Sequence, residues 1–261
     1  MNQVNLSEYE AIFVDMDGVV VMSGEMIPGA TEAMDELKNC GKVFILSNNS
    51  TRSRNKFAAR LENLGLDFPP NAIVNSAYVL AKFLLERKGR KKAFVLGEEG
   101  LGEELMGVGH ELVPPEEAEI IAVGMDRELS YDKLDKALTG LLAGAEFFAT
   151  NADKTFPTQE GESPGAGASV GAIKGMGFEP ERIVGKPSEV AAEIAMEVAG
   201  VEDPGKCLLI GDRLETDILL AERAGMDSAL VFTGVESETS LEASSVEPTF
   251  VFVDLNDLVF S

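Results

Sequence analysis

Ala11-Ile12-Phe13-Val14-Asp15-Met16-Asp17-Gly18 is a run of four apolar residues that stops at an acidic pair and a glycine. A short unbroken apolar run with polar bounds fits a strand buried on both faces, as in a parallel sheet covered by helices. The pattern recurs along the chain. Ala33, Met34 and Leu37 stand at helical spacing, closed by Gly41, and Val43-Phe44-Ile45-Leu46 is the next run. Phe57, Leu61 and Leu64 mark another helix. Later, Ile183-Val184 leads into a helix with Ser188 as its cap and Ala191, Ile194 and Val198 along one face. Leu208-Leu209-Ile210, Ala229 to Phe232 and Phe250 to Val253 supply further strands. The reading is α/β, with a doubly wound, mainly parallel sheet.

Between these halves lies a self-contained α/β segment. Its expected strands are Ala93 to Leu96, Ile120 to Val123 and Phe147 to Ala149. Its expected helices run near Gly100 to Met106, Ser130 to Ala143 and Gly165 to Met176, with Gly161 to Gly171 as a loop entering the last of them. The expected division is 1–77 and 178–261 for the core and 78–177 for an inserted domain.

Composition excludes several functions. The 261 residues carry a net charge of −23, which repels phosphodiester backbones and argues against a nucleic-acid polymer as partner. No apolar run approaches the roughly 20 residues of a spanning helix, so no membrane partner is expected. The polar start, with Glu8 and Glu10, does not resemble a signal or transit peptide, and the expected location is cytoplasmic. Cys40 and Cys207 are read as buried reduced thiols. The only histidine, His110, is flanked by glycine and read as a surface residue, so a His-based metal site or a Ser-His-Asp triad lacks its parts.

Polar groups follow directly after several apolar runs: Asp15 and Asp17, Ser47-Asn48-Asn49, Gly185-Lys186-Pro187, and Gly211-Asp212 with Asp217 close behind. Ligands of open α/β sheets bind beyond the carboxyl ends of the strands, so these groups converge if their strands are neighbours. Carboxylates so crowded resist joint ionisation, and Mg2+ relieves the repulsion. With Lys186 and the Ser47 hydroxyl, the cation would make a pocket for a phosphoryl group. One carboxylate there can attack phosphorus, and a second can protonate the leaving oxygen.

At these residues the chain resembles the haloacid dehalogenase superfamily, and over nearly its whole length the NagD-type, 4-nitrophenylphosphatase-like branch. Further matching stretches include Gly97-Glu98-Glu99-Gly100-Leu101, Ala149-Thr150-Asn151 and Gly211-Asp212-Arg213-Leu214-Glu215-Thr216-Asp217. The resemblance implies a Rossmann-like core with a large α/β cap, and a Mg2+-dependent phosphatase. Its substrates would be small phosphomonoesters: a sugar phosphate, nucleoside monophosphate, phosphoglycolate or pyridoxal phosphate. It implies Asp15 as nucleophile and metal ligand, and Asp17 as acid and base with its backbone carbonyl on the metal. Asp212 would be a further metal ligand and Asp217 an orienting group. Ser47, Asn48, Asn49 and Lys186 would hold the substrate phosphate. The cap residues Asn151, Asp153, Lys154 and Phe156 become candidates for substrate choice, in a loop running from Asp153 to Pro157, and a homodimer through the cap is compatible with the branch.

Rival readings meet specific obstacles. Mutases and phosphonate-cleaving enzymes of the superfamily carry a cap between the first two motifs, and the stretch from Asp17 to Ser47 is too short for one. A phosphorylatable signalling module places its acidic pair after the first strand and its phosphorylated Asp after the third. A catalytically silent scaffold of the same fold would lack a motif residue, and none is missing here.

Overall fold

The computed structural model describes residues 4–158 and 161–260. The chain opens with β1 (Ala11–Val14), a small hairpin of β2 (Val21–Met22) and β3 (Glu25–Met26), α1 (Ala30–Cys40), β4 (Lys42–Ser47), α2 (Arg54–Asn63), β5 (Ile73–Asn75) and α3 (Ser76–Lys88). A second group follows: β6 (Lys92–Leu96), α4 (Glu99–Gly107), β7 (Glu111–Leu112), β8 (Ile120–Val123), α5 (Tyr131–Leu142) and β9 (Glu146–Ala149). It continues through β10 (Thr155–Thr158), β11 (Gly161–Pro164), α6 (Ala166–Gly175) and β12 (Arg182–Ile183). The chain then returns through α7 (Glu189–Ala199), β13 (Cys207–Gly211), a π-helical turn Leu214–Ile218, α8 (Leu219–Ala224), β14 (Asp227–Val231), α9 (Glu238–Glu242), β15 (Phe250–Phe252) and α10 (Leu255–Phe260).

Two parallel sheets result. The first runs β15-β14-β13-β1-β4-β5 and the second β12-β9-β8-β6-β7. In the first sheet β1 and β13 are buried along their whole length, which is why they read as unbroken apolar runs. Ile12, Val14, Ile45 and Ile210 pack on one face against Met34 and Leu37 of α1, Phe57 and Leu61 of α2 and Leu258 of α10. Phe13, Leu46 and Leu209 pack on the other against α3, α7 and α8, through Leu80, Leu84, Ile194 and Leu220.

That second layer does not stop at the first sheet. It continues through α3 to Leu101 and Leu105 of α4 and to Ile120, Ala122 and Phe148 of the second sheet. One apolar layer therefore ties both sheets together. The expected joins at 77/78 and 177/178 accordingly fall inside α3 and ahead of β12. Asn75 ends β5 and caps α3 at once, its Oδ1 accepting the Tyr78 N–H at 2.9 Å, so no linker separates strand from helix.

Four local expectations are corrected. Ile183 pairs with Ala149 and belongs to the second sheet, because a two-residue strand carries no pattern that says which sheet it joins. Residues 155–158 and 161–164, read as loop, form the antiparallel hairpin β10–β11, while 166–171 lie in α6. His110 is buried, not on the surface: its Nδ1 accepts the Lys91 N–H at 3.0 Å, leaving Nε2 to donate to the Ala81 carbonyl at 3.1 Å. Cys207 is buried, while Cys40 is only half-buried. Among the described residues no helix is long and apolar enough to cross a membrane.

Candidate active site

β13, β1 and β4 lie side by side, so their carboxyl ends present Asp212, Asp15 and Ser47 to one crevice. The turn after β1 is tight. Gly18 has φ +92°, and a Cβ there would strike the Asp212 carboxylate; a Cβ at Gly234 would strike the same group. Two glycines thus admit Asp212 to the site.

Lys186 arrives from the second sheet, on the loop after β12. It is buried, and its Nζ donates to Asp15 Oδ1 at 2.7 Å, Asp217 Oδ1 at 2.6 Å and the Leu46 carbonyl at 3.0 Å. Asp217 is saturated further, its Oδ2 accepting from the Arg213 N–H and the Thr216 hydroxyl. Asp212 differs. Its Oδ2 accepts the Val235 N–H at 2.9 Å, but its buried Oδ1 has no partner among the described residues.

Asp15, Asp212 and Asp217 can each offer an oxygen within 4.8 Å of the others. Burial drives the Asp15 carboxyl well above its normal range; Lys186 pulls it back, and Asp217 and Asp212 push it up again. Asp212 is pushed up to about 7, by burial and then by Asp217. Burial opposes the charge on Lys186, but Asp15 and Asp217 outweigh it and the ammonium stays protonated. One ammonium cannot neutralise three carboxylates. A buried carboxylate oxygen without a donor, beside two more carboxylates, fits a hard divalent cation. Asp17 stands outside this trio; burial raises its pKa, against opposing pulls led by Arg60 and then Lys186.

The remaining predicted residues take more varied parts. Ser47 Oγ accepts the Asn49 N–H at 3.2 Å, while its own proton is given to no protein atom among the described residues. The Asn48 side chain is not free to hold phosphate. Its amide accepts the Lys186 N–H at 2.9 Å and donates to the Lys186 carbonyl at 3.0 Å and to Asp153 Oδ1 at 3.0 Å. Asn49 Oδ1 closes its own turn on the Thr51 N–H and hydroxyl. Asn151 is buried and donates to the Asn48 carbonyl at 2.7 Å, so it pins the second unit to the first. Asp153 and Phe156 face the cavity above Asp15. Lys154 is exposed and lines an adjoining groove with Arg182, Arg223 and Glu236, a groove that shares Asp153, Thr155, Lys186, Arg213 and Thr216 with the cavity.

The cavity holds about 400 Å³, and its walls also carry Arg52, Arg60, Arg127 and Arg213, none of which was singled out from the sequence. Arg127 could have been found by extending the strand-end rule to β8, since it stands four residues beyond Val123. Arg60 carries no such signal on α2.

Residues 12–111 match the haloacid dehalogenase-like hydrolases, and residues 183–258 match a second HAD-hydrolase-like description. An acid sugar phosphatase of Staphylococcus aureus is 30% identical over 97% of this chain and 98% of its own. The chain belongs to the haloacid dehalogenase-like hydrolases. Among solved structures, p-nitrophenyl phosphatase from Archaeoglobus fulgidus superposes with a TM-score of 0.90 at 37% identity, covering 97% of this chain and 98% of the other. Glycerol phosphate phosphatase from Mycobacterium tuberculosis, in complex with calcium, gives 0.89 at 29%, covering 97% and 75%. Within the haloacid dehalogenase-like hydrolases this chain is of the NagD, p-nitrophenylphosphatase type, with the second parallel sheet as its cap. It is a phosphatase of that superfamily.

Proposed function

We propose that the chain hydrolyses small phosphomonoesters with Mg2+, through an aspartyl-phosphate on Asp15. The observation that carries this is the Asp15 carboxylate held at 2.7 Å by buried Lys186, beside Asp212 Oδ1, which has no partner among the described residues. Asp15 and Asp212, with the Asp17 backbone carbonyl, would hold Mg2+; when bound, it supplies the positive charge that lets a phosphate dianion enter a carboxylate-rich pocket. Asp217 positions Lys186 and the loop after β13.

Asp15 attacks phosphorus; the Asp15 O–P bond forms as the ester P–O bond breaks. Lys186 and the Ser47 hydroxyl hold the phosphoryl oxygens. Asp17, kept protonated more readily by burial, gives its proton to the leaving oxygen. It then takes a proton from the water that attacks the phosphoenzyme, releasing phosphate and restoring Asp15. Sugar phosphates, glycerol phosphate and nitrophenyl phosphate, the substrates named for the relatives, are the first candidates here. Discrimination among alcohols would come from the cap, with Phe156 and Asp153 at the cavity.

A panel of phosphomonoesters assayed with Mg2+ and with EDTA tests the reading. Hydrolysis of 4-nitrophenyl phosphate that EDTA abolishes and Mg2+ restores is expected. Full activity without metal, or no hydrolysis of any ester, contradicts it.

A further inference from the structure

This chain carries a net charge of −23, and many of its cations are spent on that acidic excess. Lys56 bridges Glu99 and Glu103, Lys82 bridges Glu86 and Glu197, and Arg54 is held by Glu104. The active-site cavity departs from the pattern. Arg52 and Arg60 line it, both half-buried, and among the described residues neither ion-pairs with a carboxylate. From the cap, Arg127 adds a third guanidinium, clamped by Glu98 through bonds of 2.7 and 2.6 Å. Partly burying like charges together is unfavourable unless an anion joins them. Arg52 registers the strain: burial, then Arg60 and Arg127, hold its pKa below the usual arginine value.

These arginines are distinct from Lys186, whose ammonium is committed to Asp15 and Asp217. Asp17 lines the same cavity as Lys186 and these arginines. Burial raises its pKa, and among the cations opposing that rise Arg60 acts more strongly than Lys186. If Asp17 faces the leaving oxygen, the group attached to that oxygen extends toward the arginine wall, in a cavity of about 400 Å³.

We propose that Arg52 and Arg60, completed by Arg127, form a second anion subsite for phosphomonoesters whose leaving group carries a further anionic group, a carboxylate or a second phosphate. Guanidinium groups suit both, because their forked donors match two oxygens at once. The inference rests on the phosphatase reading above and deepens it. Nothing in the Lys186 pocket would distinguish such esters from neutral ones.

The test compares kcat/KM within matched pairs, using the full chain with Mg2+. Glycerol 3-phosphate is set against 3-phosphoglycerate, and fructose 6-phosphate against fructose 1,6-bisphosphate. Arg52→Gln and Arg60→Gln are run beside the wild type. Any effect of these changes on Asp17 is common to both members of a pair, so the ratio isolates the second anion. The wild type should favour at least one doubly anionic member by about tenfold or more, mainly through KM. Each variant should cut that preference by about tenfold, and added salt should weaken it. A response in the glycerate pair alone assigns the subsite to carboxylates; one in the fructose pair alone assigns it to phosphates. Wild-type ratios near one in both pairs, or ratios unchanged in both variants, overturn the subsite while leaving the phosphatase intact. Failure of the wild type to hydrolyse even 4-nitrophenyl phosphate overturns both.

Discussion

Gly234→Ala disturbs the proposed metal site without changing any proposed ligand. A Cβ at Gly234 would overlap Asp212 Oδ2 and lie 2.5 Å from Asp212 Cγ, with Asp212 Cβ at 2.6 Å. The carboxylate must swing away, and because Asp212 Cβ moves only with its own backbone, the turn carrying Gly234 must shift as well. Swinging breaks the 2.9 Å bond from the Val235 N–H. A hydrogen bond to a charged group contributes about 1.5–3 kcal/mol. Displacing a ligand's orienting partner typically weakens metal affinity by about 10–100-fold, or about 1.4–2.7 kcal/mol. The assay is initial rate on 4-nitrophenyl phosphate against Mg2+ concentration. Half-saturation should move up by about one to two decades, with part of kcat recovered at high metal. Gly171→Ala is the control: it sits in α6, nothing lies within 4 Å of its Cβ, and its Mg2+ requirement should not change. If Gly234→Ala keeps its fold, by an unaltered unfolding transition, and also keeps the wild-type half-saturation, Asp212 does not bind the metal.

Two further predictions concern the metal-free protein and the cap. Asp212 stands at about 7 in the folded protein without metal, against ~3.9 when unfolded, so between those values the folded state holds the extra proton. Stability in EDTA should therefore fall as pH rises from about 4 to about 7, and Mg2+ should raise Tm more at pH 8 than at pH 5; a larger Mg2+ effect at pH 5 would contradict this. In the cap, Phe156→Ala should reorder a panel of substrates, whereas Lys154→Ala should leave the order unchanged because Lys154 lines the adjoining groove. Rates on the panel decide it, and a reordering by Lys154→Ala would refute this placement.

Some of the site was legible because its bearers end strands buried on both faces. Asp15 and Asp212 follow runs in which every residue is buried, and such runs announce themselves in sequence. Lys186 was expected beside Asp15 and reaches it, but its strand was assigned to the wrong sheet, since Arg182–Ile183 is too short to show a face. The duties of Asn48 and Asn49 were not legible. An amide side chain reads the same whether it meets a ligand or closes a turn, and here both amides serve the loop itself and the Lys186 segment. Lys154 stands at a bend just before β10, where period-two alternation has not begun to fix its direction. Arg60 was invisible for another reason. A charged residue on an amphipathic helix ordinarily faces water, and only the cap placed above α2 turns that face into a cavity wall.

The central claim is that Asp15 carries the phosphoryl group during turnover. The direct measurement is peptide mass spectrometry after acid quench of the protein in steady-state hydrolysis of 4-nitrophenyl phosphate with Mg2+. The account predicts that the peptide containing Asp15 gains the mass of one phosphoryl group. It predicts that Asp15→Asn shows neither this adduct nor more than a trace of the wild-type rate. A phosphoryl group on another residue, or near-normal turnover by Asp15→Asn, would contradict it.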